Sequence, residues 1–153
     1  MSFALSSTAF ANGGTIPGKY TCDGADRSPA LRWSDAPPGT QSFALIADDP
    51  DAPRGTFTHW IIWDIPATEN TLPEDLPKVA EAGNGARQGT SDFHRVGYGG
   101  PCPPPGKAHR YFFKLYALDA KLGLKAGAGR NELEGAMQQH ILSKTEWMGS
   151  YGR

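Results

Sequence analysis

The sequence predicts a mainly β, loop-rich domain. Three observations point there. Gly 19 and Pro 13 in 153 residues punctuate the chain far more often than a helical bundle tolerates. Between these breaks lie short apolar runs of strand length, such as Ser42-Phe43-Ala44-Leu45-Ile46-Ala47. A clear period of 3.6 occurs only near the C-terminus.

In chain order, Phe3-Ala4-Leu5 reads as a first strand and Asn12-Gly13-Gly14 as a turn. Ile16-Pro17 to Cys22 reads as extended chain ending in the turn Asp23-Gly24. Ser28 to Trp33 places Leu31 and Trp33 on one face of a strand. The run Ser42–Ala47 fits a strand covered on both sides. The next strand, His59 to Ile65, assigns His59, Ile61, Trp63 and Ile65 to one face and Trp60, Ile62 and Asp64 to the other. From Ala67 to Val96 periodicity is weak, which predicts a long irregular excursion of the kind that often carries function. In the strand Arg110 to Leu118, His109, Tyr111, Phe113, Leu115 and Ala117 share a face, with Arg110, Phe112, Lys114 and Tyr116 opposite. The spacing of Leu133, Ala136, Met137, His140 and Ile141 predicts a helix capped at Asn131 with Glu134. There is no internal repeat and no linker, so residues 1–153 are expected to form a single domain.

Net charge is -1 and no basic run exists, which argues against a nucleic-acid partner. No apolar run approaches the roughly 20 residues of a membrane helix. Ala9-Phe10-Ala11 imitates a signal-peptidase site, but no apolar segment precedes it, and a cytoplasmic location is the expectation. For such a chain Cys22 and Cys102 are expected as free thiols unless the fold juxtaposes them.

Chemistry-bearing residues gather in two stretches. One is the turn Asp48-Asp49-Pro50-Asp51-Ala52-Pro53 followed by Phe57-Thr58-His59-Trp60. The other is Gly99-Gly100-Pro101-Cys102-Pro103-Pro104-Pro105-Gly106-Lys107-Ala108-His109-Arg110-Tyr111. Each is a stiffened loop, then a histidine, then an apolar strand, and the two are expected to meet in one small polar pocket. Phosphate-loop, dinucleotide-loop and serine-hydrolase patterns fail residue by residue. Prolines on both sides of Cys102 leave few N–H groups for an oxyanion hole, which disfavours a thiol nucleophile. Asp49, Asp51, His59 and His109 are oxygen and nitrogen donors without a diagnostic metal spacing, so no metal or cofactor is expected. The residue types favour an anion pocket. In that reading His59, His109 and Tyr111 donate, and Asp49 holds His59 and favours its imidazolium, so affinity should fall through roughly pH 7 to 8.

At these residues the chain strongly resembles the phosphatidylethanolamine-binding protein family, in its bacterial branch. The resemblance is carried by Asp49-Pro50-Asp51-Ala52-Pro53, His59-Trp60, Gly97-Tyr98-Gly99-Gly100-Pro101-Cys102-Pro103-Pro104 and His109-Arg110-Tyr111. Lys19-Tyr20-Thr21-Cys22-Asp23-Gly24 and Gly149-Ser150-Tyr151-Gly152-Arg153 extend it over essentially the whole chain. It implies a mainly β fold, a two-sheet antiparallel Greek-key β-sandwich with a few peripheral helices, and a pocket for phosphate-like anions or phospholipid headgroups built from Asp49, His59, His109 and Tyr111, with Gly100 and Pro101 at the mouth. It also implies a cis Ala52-Pro53 bond. Cys22 and Cys102 then fall in loops flanking the pocket, near one sheet end, bridged or free. The implied function is non-enzymatic binding that regulates a kinase or protease partner, as monomer or homodimer. The rival class is an acid–base or metal-dependent hydrolase using Asp49, His59 and His109.

Overall fold

The computed structural model describes residues 2–153. Ten strands form two sheets. The smaller joins β1 (Ala4–Ser6), β3 (Leu31–Ser34) and β6 (Thr71–Leu72) in the order β1-β3-β6. The larger has the order β2-β10-β9-β4-β5-β8-β7. Its members are β2 (Gly14–Thr15), β4 (Ser42–Asp49), β5 (Phe57–Pro66), β7 (Glu81–Gly83), β8 (Ala86–Gln88), β9 (His109–Leu118) and β10 (Ile141–Tyr151). Central β4 lies between its hairpin partner β5 and the later β9, which gives the Greek-key order. Pairing is antiparallel throughout except for the short β2–β10 contact, which is parallel. The expected mainly β, two-sheet fold is therefore present.

Two apolar clusters lie on opposite faces of the large sheet. Between the sheets, Leu5, Leu31, Trp33 and Leu72 meet Phe43, Leu45, Trp60, Ile62, Phe113 and Leu115. On the outer face, Ala44, Ile46, Ile61, Trp63 and Leu118 are covered by Ala128 and by Leu133 and Met137 of the helix α1 (Arg130–Met137). Cover on both sides explains why every residue of β4 is buried and why its sequence does not alternate.

The predicted faces of β5 are corrected. Asp48 pairs with Thr58 while Ala47 pairs with Trp60, so one extra residue, His59, bulges from the strand. A second irregularity between Phe43 and Leu45 puts Asp64 at φ 53°. Its carboxylate accepts N–H bonds from Leu122 (2.7 Å) and Gly123 (3.1 Å). The two bulges put Trp60, Ile62 and Ile65 in the intersheet core and leave Ile61 and Trp63 on the helix side.

The predicted helix is present but shifted. Gly129 is the N-cap, and its N–H donates to the Glu132 carboxylate at 3.0 Å, so Asn131 does not cap it. The helix stops at Met137. His140 lies beyond it, bonded to Asp119 at 2.8 Å, and Ile141 opens β10, a strand the sequence pattern did not reveal. The excursion from Ala67 to Val96 holds three short strands, β6, β7 and β8. The extended stretch after Ile16 contains a 3-10 turn at Gly18–Tyr20.

The expected cis bond at Ala52-Pro53 is not found; among the described residues every peptide bond is trans. The turn closes by other means. Asp51 N–H bonds to the Asp49 carboxylate at 2.8 Å, and Gly55 N–H, at φ 105°, reaches the Ala52 carbonyl at 3.1 Å.

Candidate anion pocket

The loop after β4 and the loop before β9 do meet. At one end of the sandwich Asp49, His59, His109 and Tyr111 line a single pocket of about 210 Å³. Asp49 ends β4 and His109 opens β9, the antiparallel strand beside it, so the sheet brings both to the same end. The bulge at His59 turns its ring toward Tyr111, with ring centroids 5.2 Å apart. Strict alternation would have carried that ring to the helix side.

The hydrogen bonding differs from expectation in its pairs. Asp49 holds His109, not His59: His109 Nδ1 lies 2.7 Å from Asp49 Oδ2. His59 Nδ1 instead donates to the Gly99 carbonyl at 2.7 Å, which in the neutral ring leaves Nε2 as an acceptor. Burial pushes the His59 pKa below its ordinary 6.5, opposed by the Gly99 carbonyl and by the charge of Asp49. The expected imidazolium at His59 is therefore not the resting state at neutral pH.

The Tyr111 hydroxyl is buried and has no hydrogen-bond partner among the described residues. Burial, then the charge of Asp49, raises its pKa well above the ordinary 10, so it stays protonated and can only gain by meeting an acceptor. Asp51 turns away to a bidentate pair with Arg110, at 2.9 Å for each nitrogen. The Arg110 guanidinium holds its carboxyl at about 2. Asp49, Asp51, His59 and His109 therefore do not converge as a ligand set, and no cluster of three or more His, Cys, Asp or Glu suited to a metal occurs among the described residues.

Gly100 and Pro101 stand behind the pocket surface. Gly100 N–H bonds to Asp26 Oδ1 at 2.8 Å and the Pro101 carbonyl accepts from Cys22 N–H at 3.1 Å. The wall presented to the pocket is Cys102-Pro103-Pro104. Cys22 and Cys102 are joined as a disulfide, with Cα atoms 5.4 Å apart, so neither is a free thiol.

Sequence reasoning missed the aromatic side of the pocket. Phe57 and Phe93 pack edge-to-face with centroids 4.7 Å apart, and both lie against the His59 ring. Phe57 had a signal, since it sits two residues before His59 on the same strand. Phe93 had none; it arrives from the irregular segment and occupies space that a side chain at Gly99 would fill.

A family model for phosphatidylethanolamine-binding proteins matches residues 6–152. The chain belongs to the phosphatidylethanolamine-binding protein family. A UPF0098 protein of Aquifex aeolicus is 55% identical over 149 residues, covering 96% of this chain and 86% of its own length. One from Pyrococcus horikoshii is 49% identical over 150 residues, covering 96% and 75%. Among solved structures, Escherichia coli YbcL, described as a member of the mammalian phosphatidylethanolamine-binding protein family, superposes with a TM-score of 0.92. It is 32% identical and covers 100% of this chain and 99% of its own. A family homolog from Chlamydia trachomatis gives 0.90 at 38% identity, covering 99% and 98%. A binding role in general follows from membership in the family. No helix among the described residues is long and apolar enough to cross a membrane.

Proposed function

We propose that this phosphatidylethanolamine-binding protein binds a phosphate-like anion, a phosphate monoester or a phospholipid headgroup, in the pocket of Asp49, His59, His109 and Tyr111, without turning it over. The observation that carries this reading is the buried Tyr111 hydroxyl, a donor with no acceptor among the described residues. About 210 Å³ admits a phosphate with a short substituent, so acyl chains of a lipid would remain outside. Regulation of a kinase or protease partner from the cytoplasm belongs to the same proposal and rests on the family resemblance alone.

The Tyr111→Phe variant separates binding from folding. Its free form should be as stable as the parent or more so, because a buried unsatisfied hydroxyl is removed. Affinity for O-phosphoethanolamine should fall by about 0.5–1.5 kcal/mol, the net worth of one hydrogen bond. Calorimetric titration and urea unfolding measure the two; lost stability with unchanged affinity would show the hydroxyl to be structural.

The pH dependence carries a second prediction. An anion needs His59 protonated to gain an Nε2–H donor, and burial resists that protonation. Affinity should therefore keep rising as pH falls below 6.5, a lower window than the residue types alone suggest. The free protein should behave oppositely. With the folded pKa of His59 depressed, the unfolded chain binds more protons, so this contribution to stability is full above 6.5 and is lost as pH falls through it. A titration series from pH 5 to 8 with parent and His59→Gln tests both slopes, and a flat binding profile in the parent would remove the imidazolium from the mechanism. Turnover of p-nitrophenyl phosphate by the purified protein would instead favour a hydrolase.

A further inference from the structure

We propose that the Cys22–Cys102 disulfide is a thiol-exchange site whose state sets the shape of the anion pocket, an inference that rests on the anion reading for its ligand. The starting point is the wall segment Pro101-Cys102-Pro103-Pro104-Pro105. Four of its five residues are proline, so it offers one backbone N–H, that of Cys102. It cannot be zipped to a neighbouring strand by its own donors. Its hydrogen bonds among the described residues are few: the Pro101 carbonyl accepts from Cys22 N–H at 3.1 Å, the Pro103 carbonyl from Arg153 Nε at 2.8 Å, and Cys102 Sγ from Arg153 at 3.6 Å. The disulfide is its one covalent anchor, and Cys102 itself lines the pocket.

The bond is open to reagents, because both Cys22 and Cys102 are exposed. Its two sulfurs are not equivalent. Arg153 places an NH2 group 3.6 Å from Cys102 Sγ. A guanidinium there favours the thiolate and so makes Cys102 the better leaving group. An incoming low-molecular-weight or protein thiolate should therefore attack Cys22 Sγ. A bond forms between that sulfur and Cys22, the Cys22–Cys102 bond breaks, and Cys102 leaves as a thiolate. A second thiolate then attacks the mixed disulfide at the reagent sulfur and releases Cys22; Cys22 and Cys102 each take up one of the two protons that the attacking thiols gave up on ionising. Overall two thiols are oxidised to one disulfide, and two electrons and two protons pass to the protein. The freed wall loses its covalent anchor, keeps only its few hydrogen bonds to Cys22 and Arg153, and samples positions that no longer close the pocket.

The test uses the full chain with glutathione and inorganic phosphate as probes. Brief exposure to reduced glutathione, quenched with N-ethylmaleimide and peptide-mapped, should find glutathione on Cys22 and maleimide on Cys102. The Arg153→Gln variant should lose that preference. Amide exchange at Cys22, Gly100 and Gly106, whose N–H groups tie this region, should quicken on reduction. Phosphate affinity should fall about tenfold if the closed wall drops to roughly one part in ten, and Cys22→Ser should reproduce the fall without reductant. Glutathione on Cys102, or unchanged exchange rates, overturns the exchange site as assigned. Equal phosphate affinity in both states overturns its control of the pocket. If the oxidised protein binds no phosphate at all, the anion reading fails instead, while mapping and exchange still decide the thiol chemistry.

Discussion

Gly100→Ala is expected to destabilise the protein by about 3 kcal/mol or more and to abolish measurable phosphate binding. A methyl group at this position would overlap the Tyr20 carbonyl oxygen, lie 2.6 Å from Asp26 Oδ1 and 3.0 Å from Thr21 Cα. Two of these neighbours are backbone and cannot rotate away, so the strain must move a chain segment. Moving Gly100 also breaks its N–H bond to the Asp26 carboxylate, which alone is worth about 1.5–3 kcal/mol. The wall Cys102-Pro103-Pro104 follows directly, so the pocket loses its shape together with the fold margin. Gly135→Ala is the matched control. It sits within α1 with no atom within 4 Å of the added carbon, and should stabilise by about 0.5–1 kcal/mol. Urea unfolding of both variants decides the matter; similar stability for the two would mean that Gly100 is not closely packed.

What the sequence made legible, and what it hid, divides along physical lines. The β-rich class follows from composition, the doubly buried β4 from its unbroken apolar run, and the face of β9 that carries His109 and Tyr111 from a period of two. Those are local properties of the chain. The meeting of the two rigid loops was also legible, because each stiffened loop is followed by a histidine and an apolar strand. Bulges were not. Nothing in Thr58-His59-Trp60 announces an extra residue, yet that one residue decides which core His59 enters. The partner of Asp49 was equally hidden. His59 is closer to it in sequence, but β4 pairs with β9 as well as β5, and the first residue of β9 is His109. The helix boundary failed for a related reason. The apolar spacing through His140 and Ile141 continues past the true helix end because β10 begins there and supplies apolar residues of its own.

The consecutive carboxylates Asp48 and Asp49 show how one strand serves two purposes. Asp49 faces the pocket. Asp48 points to the opposite face of β4, where it is only 1% exposed. There its Oδ2 takes both Lys114 Nζ at 3.1 Å and Arg130 NH1 at 2.8 Å, while Oδ1 is buried without a partner among the described residues. Arg130 also reaches the Thr58 hydroxyl at 3.1 Å, so this cluster ties α1 to the strand that presents His59.

Replacing both cations, Lys114→Met with Arg130→Met, should therefore cost about 3–5 kcal/mol, the usual penalty for leaving a buried charge without its partner. Either single change should cost less, because the other cation still meets Oδ2. Adding Asp48→Leu to the double variant should recover most of the loss, since replacing a whole buried ion cluster by apolar groups is often neutral or better. Urea unfolding of parent, single, double and triple variants measures all of this. A double variant within about 1 kcal/mol of the parent would place the cluster among surface ion pairs screened by water. A triple variant as unstable as the double would show that the penalty came from lost packing around the Lys114 and Arg130 stems and not from the charge.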